Sequence, residues 1–217
     1  MTTQAELTAL VVADSRDRER WLTVRSRGCG GSDVAGFAKL ASVGLYVAAR
    51  FRRPFSGNAN TQAGNRWESS ILAAYGWQQN TLMFRHPEYD RFLATPDAYR
   101  ITESGTVELA QAKTKHHEPF DDDGNPRPFT MTNAKGEIHV TPAHRRQIAW
   151  EQIVLGATTT DYLVMPIHPR TLMPVADVPT CVTIARDDEV IAGLLAIAHP
   201  YVAALVAATE FERNIFA

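Results

Sequence analysis

Asp97 follows Thr95-Pro96, and fourteen residues later comes Gln111-Ala112-Lys113-Thr114. Side chains along a strand alternate between its two faces, so a strand over 107–113 points Gln111 and Lys113 the same way and Glu108 the other way. An acceptor oxygen and an ammonium then share one face. If Asp97 ends the neighbouring strand, its carboxylate, the Gln111 oxygen and a backbone carbonyl, that of Ala112, form the hard-oxygen set that Mg²⁺ requires. Lys113 is placed to orient an attacking water. Such a cluster suits metal-assisted phosphodiester hydrolysis, in which a cation neutralises the phosphoryl oxygens and lowers the pKa of water.

The elements that must position these groups are legible from apolar spacing and turn residues. Residues 4–27 read as helix in two pieces around Asp14, followed by the glycine-rich turn Gly28-Cys29-Gly30-Gly31. Ser32 is suited to capping a second helix from Val34 to about Leu40, a junction able to hold an anion. A helix from about Asn65 to Tyr75 carries Trp67, Ile71, Ala74 and Tyr75 at helical spacing, and Gly76 ends it. Strands are expected at Phe92–Thr95, ended by Pro96, and at Val107–Lys113, joined across a turn near Glu103-Ser104-Gly105. Residues 116–140 read as a loop and a hairpin. Thr141-Pro142 starts a helix that runs to Gly156. Strands at Asp161–Pro166 and Thr180–Ala185 precede an alanine-rich helix from about Asp187 to Thr209, with Pro200 a point for a bend. The order defines a mixed α/β core, expected as a single domain over 1–217, with the motifs at about 20–166 and the C-terminal strand and helix at 180–209.

Composition narrows the classes. The 217 residues are 45% hydrophobic and 21% charged, enough to bury one substantial core. A formal charge of −2 provides no global attraction to nucleic acid, so DNA contact must come from a local basic patch or from metal ions. Candidates for that patch are Arg50, Arg52, Arg53, Arg66, Lys115 and the run His144-Arg145-Arg146. Cys29 and Cys181 form no CxxC pair and are too few for an iron–sulfur cluster. The His116-His117 and Asp121-Asp122-Asp123 runs read as solvated loop. The N-terminus lacks the order of a signal peptide, and no apolar run is expected to reach the roughly 20 residues of a membrane span, so the expected location is the cytoplasm.

Taken together, RSRGCGGSD, GNRWE, TPD, QAKT and PAHRRQIAWEQIVLG resemble, in this order, the YqaJ-like viral recombinase branch of the PD-(D/E)XK nuclease superfamily, which includes lambda exonuclease. The resemblance implies a restriction-endonuclease-like core, a central mixed sheet flanked by helices, and Mg²⁺ or Mn²⁺ as cofactor. Glu68 matches the family's helix-borne metal carboxylate and shares a helical stripe with Ile71, Leu72 and Tyr75. Gln147 matches a glutamine on the helix after the catalytic strand. Arg25 and Ser32 match positions that contact a terminal 5′-phosphate. The implied activity is a Mg²⁺-dependent 5′–3′ exonuclease acting on double-stranded DNA ends for phage-type recombination in the host cytoplasm. It further implies a ring-shaped homo-oligomer and a single-strand annealing partner.

Gln111 departs from the family pattern, which calls for Asp or Glu. An amide still coordinates through its oxygen, but the lost charge weakens divalent binding. Glu108 replaces it only if a β-bulge reverses its face, and Lys115 is a reserve for Lys113. Two competing readings follow: a catalytically silent DNA-end-binding protein of the same fold, and a non-DNA interaction or inhibitor protein.

Overall fold

In a computed structural model, which describes residues 3–52, 59–132 and 139–215, the central strand is β5 (Val107–His116). It pairs antiparallel with β4 (Ala98–Ile101) and parallel with β6 (Thr159–Ile167), while β7 (Thr180–Ala185) adds antiparallel to β6. A parallel pair needs a long crossover, and here α6 (Pro142–Leu155) supplies it. Thr141 caps α6 through its hydroxyl, Pro142 occupies the first turn, and Gly156 ends it at φ +68°. These are the start and stop that the sequence predicts.

Two helical layers cover this sheet. On one face α5 (Ala59–Ala73) buries Ile71 and Leu72 against Ala98, Ala110, Ala112 and Leu163. On the other, Trp150 and Val154 of α6 pack with Val107 and Leu109, backed by Leu194 and Tyr201 of α7 (Asp188–Ile215). β5 therefore sends its even residues toward α5 and its odd residues toward α6. A second antiparallel sheet contains β1 (Val11–Asp14), β2 (Leu82–Arg85) and β3 (Leu93–Ala94). The Trp150 indole N–H donates to the Leu93 carbonyl at 2.9 Å and ties that sheet to α6. The N-terminal helices are α1 (Gln4–Ala9), α2 (Arg18–Ser26), α3 (Gly31–Val34) and α4 (Val43–Arg52).

The structure corrects several expectations. The helix over 4–27 is interrupted by β1, because Val11 to Asp14 find backbone partners on the edge of β2. The helix expected to reach Leu40 stops at Val34, after one turn. Its N-cap is Gly30 rather than Ser32, and the Asp33 carboxylate accepts the Gly30 N–H at 2.9 Å. The hairpin across Gly105 is made by β4 with β5; the strand before Pro96 joins the smaller sheet instead. Ala74 and Tyr75 are exposed past the end of α5. Residues 117–132 are loop and turn that include a bridge from Phe120 to Pro126, and the rest of the expected hairpin, 133–138, lies outside the described residues, as does Arg53. Pro200 lies within α7 without ending it.

The expectation that no segment has the length and apolarity of a membrane span also fails. Asp188–Glu210 is one helix, long and apolar enough by length and composition to cross a membrane. It is also part of the core, with Ile191, Leu194, Ile197, Ala198, Tyr201 and Leu205 buried.

Gly156 holds a left-handed conformation that a Cβ disfavours. Gly156→Ala is expected to lower stability by about 1 kcal/mol in urea denaturation without changing the fold.

Candidate active site

Asn80 helps to hold Asp97 against β5. Asn80 donates its amide to the carbonyls of Leu82 and Pro96, both at 2.9 Å, and its backbone N–H to the Asp97 carbonyl at 2.8 Å. This fixes the Pro96-Asp97 peptide. The Asp97 carboxylate then accepts the Ala112 backbone N–H at 2.8 Å and lies 3.5 Å from the Lys113 ammonium. Lys113 donates to the Gln111 side-chain oxygen at 2.7 Å, so these two residues do share a face of the strand. The opposite face carries Glu108, paired with Arg100 at 2.7 Å. β5 runs in continuous register with both neighbours, so no bulge turns Glu108 inward. Lys115 is exposed, over the Phe129 ring, and is not among the residues that line the site.

Asp97 lines a cavity of about 610 Å³ together with Glu68, Gln147, Arg25 and Ser32, and also with Glu151, which the sequence reading did not select. Glu68, half-buried on α5, accepts the Gln79 amide at 2.8 Å. Burial, reinforced by the negative charge of Asp97, raises its pKa. Gln147 donates its amide to the Gln111 oxygen at 3.2 Å and to Glu151 at 3.0 Å.

At the far end, Arg25 donates to the Ser32 hydroxyl at 2.7 Å and pairs with Asp33 at 2.7 Å. Asp33 also holds Arg50 at 2.8 Å. Two guanidinium groups thus share one carboxylate. Glu68, Asp97, Gln147, Arg25 and Ser32 line this cavity, and Gln111, Ala112 and Lys113 are joined to it by hydrogen bonds to Asp97 and Gln147, although Ser32 arrives as the partner of Arg25 rather than as a helix cap. Among the described basic residues, Arg146 donates to the Ala35 carbonyl and Arg66 lies over Trp67.

Glu151 is 1% exposed and Gln111 fully buried. The Gln111 amide donates to Glu151 at 2.7 Å. Burial, then the charge of Asp97, pushes the Glu151 carboxyl up to about 8. The sequence signal was a lone acid inside the apolar run of 148–155, one helical turn beyond Gln147.

Among the described residues, no group of three His, Cys, Asp or Glu side chains is positioned to hold a metal ion by itself. The donor chemistry nonetheless fits a hard divalent cation. Glu68, Asp97 and Gln111 present oxygens, and the pKa values of Glu68 and Glu151 are raised by burial first and by the charge of Asp97 second, a combined cost that a cation relieves. In this arrangement the Lys113 ammonium engages the Gln111 and Asp97 oxygens.

A mixed sheet that carries Asp97 beside its central strand and Gln111-x-Lys113 on it, between α5 and α6, has the PD-(D/E)XK nuclease-like architecture. Comparison with solved structures leads to the same fold. The chain is similar to an alkaline exonuclease from Laribacter hongkongensis, at 21% identity and a TM-score of 0.62 over 90% of this chain and 96% of that one. The same enzyme in complex with dAMP gives 22% identity and a TM-score of 0.60 over the same shares. A phage-related exonuclease from Haemophilus somnus 129PT gives 14% identity and a TM-score of 0.50 over 96% of each chain. No family profile and no curated protein matches the sequence.

His144, at the start of α6, hydrogen-bonds through Nδ1 to the Tyr162 hydroxyl. Burial, and then the charge of Lys113, lowers its pKa to about 4. In the unfolded chain its pKa is about 6.5, so as pH falls the unfolded state takes up the proton first. The contribution of His144 to stability is complete above about pH 6.5 and is lost as pH falls toward 4. His144→Asn is expected to flatten the decline of the thermal midpoint between pH 7 and 5.

Proposed function

We propose that this protein is a metal-dependent exonuclease of the YqaJ-like, lambda exonuclease branch, acting on linear duplex DNA from 5′-phosphorylated ends. The observation that carries this reading is the joining of Asp97 to Gln111 and Lys113 on neighbouring strands, with the Asp97 carboxylate on the Ala112 N–H and the Lys113 ammonium on the Gln111 oxygen. The fold shared with the Laribacter hongkongensis alkaline exonuclease supports it.

On this reading Glu68, Asp97, the Gln111 oxygen and the Ala112 carbonyl would hold Mg²⁺ or Mn²⁺, which would supply neutralisation of the scissile phosphate and a lowered pKa of water. Lys113 orients the attacking water, and its ammonium adds charge against the developing oxyanion. Gln147 holds the Gln111 amide in one orientation. Arg25 and Ser32 receive the terminal 5′-phosphate at the other end of the cavity, where a guanidinium and a hydroxyl match its oxygens. Arg50 leaves that end with a surplus of positive charge beside Asp33. Recombination with a single-strand annealing partner, in the host cytoplasm, belongs to the same reading, as does a ring-shaped homo-oligomer. Exposed Leu40, Leu45 and Phe51 on and beside α4 support a self-contact. Light scattering is expected to give a mass above the 24.0 kDa of one chain; a strict monomer removes the ring.

The decisive test incubates the protein with linear duplex DNA, 5′-phosphorylated or not, in Mg²⁺, Mn²⁺ or chelator. Nucleotide release is expected only with metal, to favour the 5′-phosphate, and to fall about 100-fold or more in Lys113→Ala. Arg25→Ala is expected to remove the preference for the phosphate. Intact DNA in every metal, with end binding retained, overturns catalysis in favour of a silent DNA-end-binding protein.

A further inference from the structure

Resting on the nuclease reading, the next question is how the site functions with an amide at position 111. Both ends of that amide have a fixed partner. Its oxygen accepts from Lys113 at 2.7 Å and from Gln147 at 3.2 Å, and its nitrogen donates to the Glu151 carboxylate at 2.7 Å. Lys113 is only a donor, so it holds the Gln111 oxygen toward itself and turns the amide nitrogen to Glu151. A carboxylate at 111 would meet that of Glu151 oxygen to oxygen, inside the protein, at the distance where the amide now donates. Residue 111 is therefore neutral because residue 151 is acidic.

Glu151 itself is out of place as a packing residue. A carboxylate 1% exposed in the middle of α6 carries a desolvation cost that two amide donors only partly offset. The fold makes room for it: a Cβ on Gly31 would come 3.1 Å from its Oε1. It also lines the same cavity as Glu68 and Asp97.

We propose that Glu151 supplies, from α6, the cation-binding carboxylate that the strand lacks at position 111, so that acid and amide have exchanged places between strand and helix. Gln111 becomes the neutral link that holds Lys113 on one side and Glu151 on the other. The site then carries three carboxylates, Glu68, Asp97 and Glu151, and regains the negative charge that Gln111 removes.

The full chain, Glu151→Gln, Gln111→Glu and the double exchange Gln111→Glu/Glu151→Gln are titrated with Mn²⁺ alone by calorimetry, and their thermal midpoints are read without metal. Glu151→Gln is expected to weaken Mn²⁺ binding about tenfold or more while its metal-free midpoint holds or rises. Gln111→Glu is expected to lower the metal-free midpoint and to recover it when Mn²⁺ is added. The double exchange is expected to return Mn²⁺ affinity to the wild-type range. A Glu151→Gln protein that binds Mn²⁺ as tightly as wild type, a double exchange that binds no better than Glu151→Gln, or a wild type that binds no Mn²⁺ overturns the proposal. DNA hydrolysis, measured on the same four proteins, is a separate readout. Loss of hydrolysis with the Mn²⁺ pattern intact refutes the nuclease reading and leaves the role of Glu151 standing.

Discussion

One buried amide organises the centre of this molecule. Gln111 is fully enclosed where β5 meets α6, and no water can reach it to satisfy an idle donor or acceptor. Each of its polar atoms must therefore find a side chain, and those side chains become fixed in turn. Lys113 is drawn back along its own strand, Glu151 is held inside the helix layer, and Gln147 donates to both Gln111 and Glu151. Such a network is costly when half made and rigid when complete, because each unpaired member would carry its whole desolvation penalty. Here every member is paired.

The scaffold around this amide follows from the parallel pairing of β5 with β6. That pairing forces a crossover, and α6 lies on the face to which Leu109, Gln111 and Lys113 point. The part of the face at Val107 and Leu109 is packed by Trp150 and Val154, while Gln111 meets Gln147 and Glu151, which line the cavity. The polar residues thus begin where the apolar contact ends. On the other face α5 covers Ala110 and Ala112 with Ile71 and Leu72 and carries Glu68 to the rim near Asp97. Asn80 adds a further constraint, since its hydrogen bonds to the Pro96 and Asp97 carbonyls, beside the pairing of Ala98 with Ala110, hold the carboxylate over the Ala112 N–H.

Much of this was legible in the sequence because it rests on local rules. Period-two alternation put Gln111 and Lys113 on one face. Thr141-Pro142 and Gly156 marked both ends of α6, and Glu68 lay within the stripe that faces the sheet. What escaped depended on pairing between distant segments. Val11 to Asp14 become a strand only because β2 offers a partner, and the strand before Pro96 joins a different sheet for the same reason. Ser32 looked like a cap, yet Asp33 took the Gly30 N–H and left the hydroxyl to Arg25. Glu151 was the largest omission. A charged residue in the run Ile148 to Leu155 is an anomaly that spacing alone cannot interpret, since its meaning lies in Gln111, forty residues earlier and across a helix–sheet interface.

On the proposed reading, the charge layout accounts for how a chain of formal charge −2 would address a polyanion. Many of its cations are committed to internal partners: Arg16 to Asp14, Arg85 to Asp90, Arg100 to Glu108 and Arg186 to Asp188. A broad positive field of the kind that binds DNA along its length is not assembled from these pairs. Positive charge is instead concentrated at one end of the cavity, where Arg25 and Arg50 share a single Asp33. The other end is acidic, and attracts a phosphate only through a bound cation. On the proposed reading, recognition then depends on a terminus that can enter the cavity and reach both ends. The interior of a duplex presents its phosphates to the surface and meets neither.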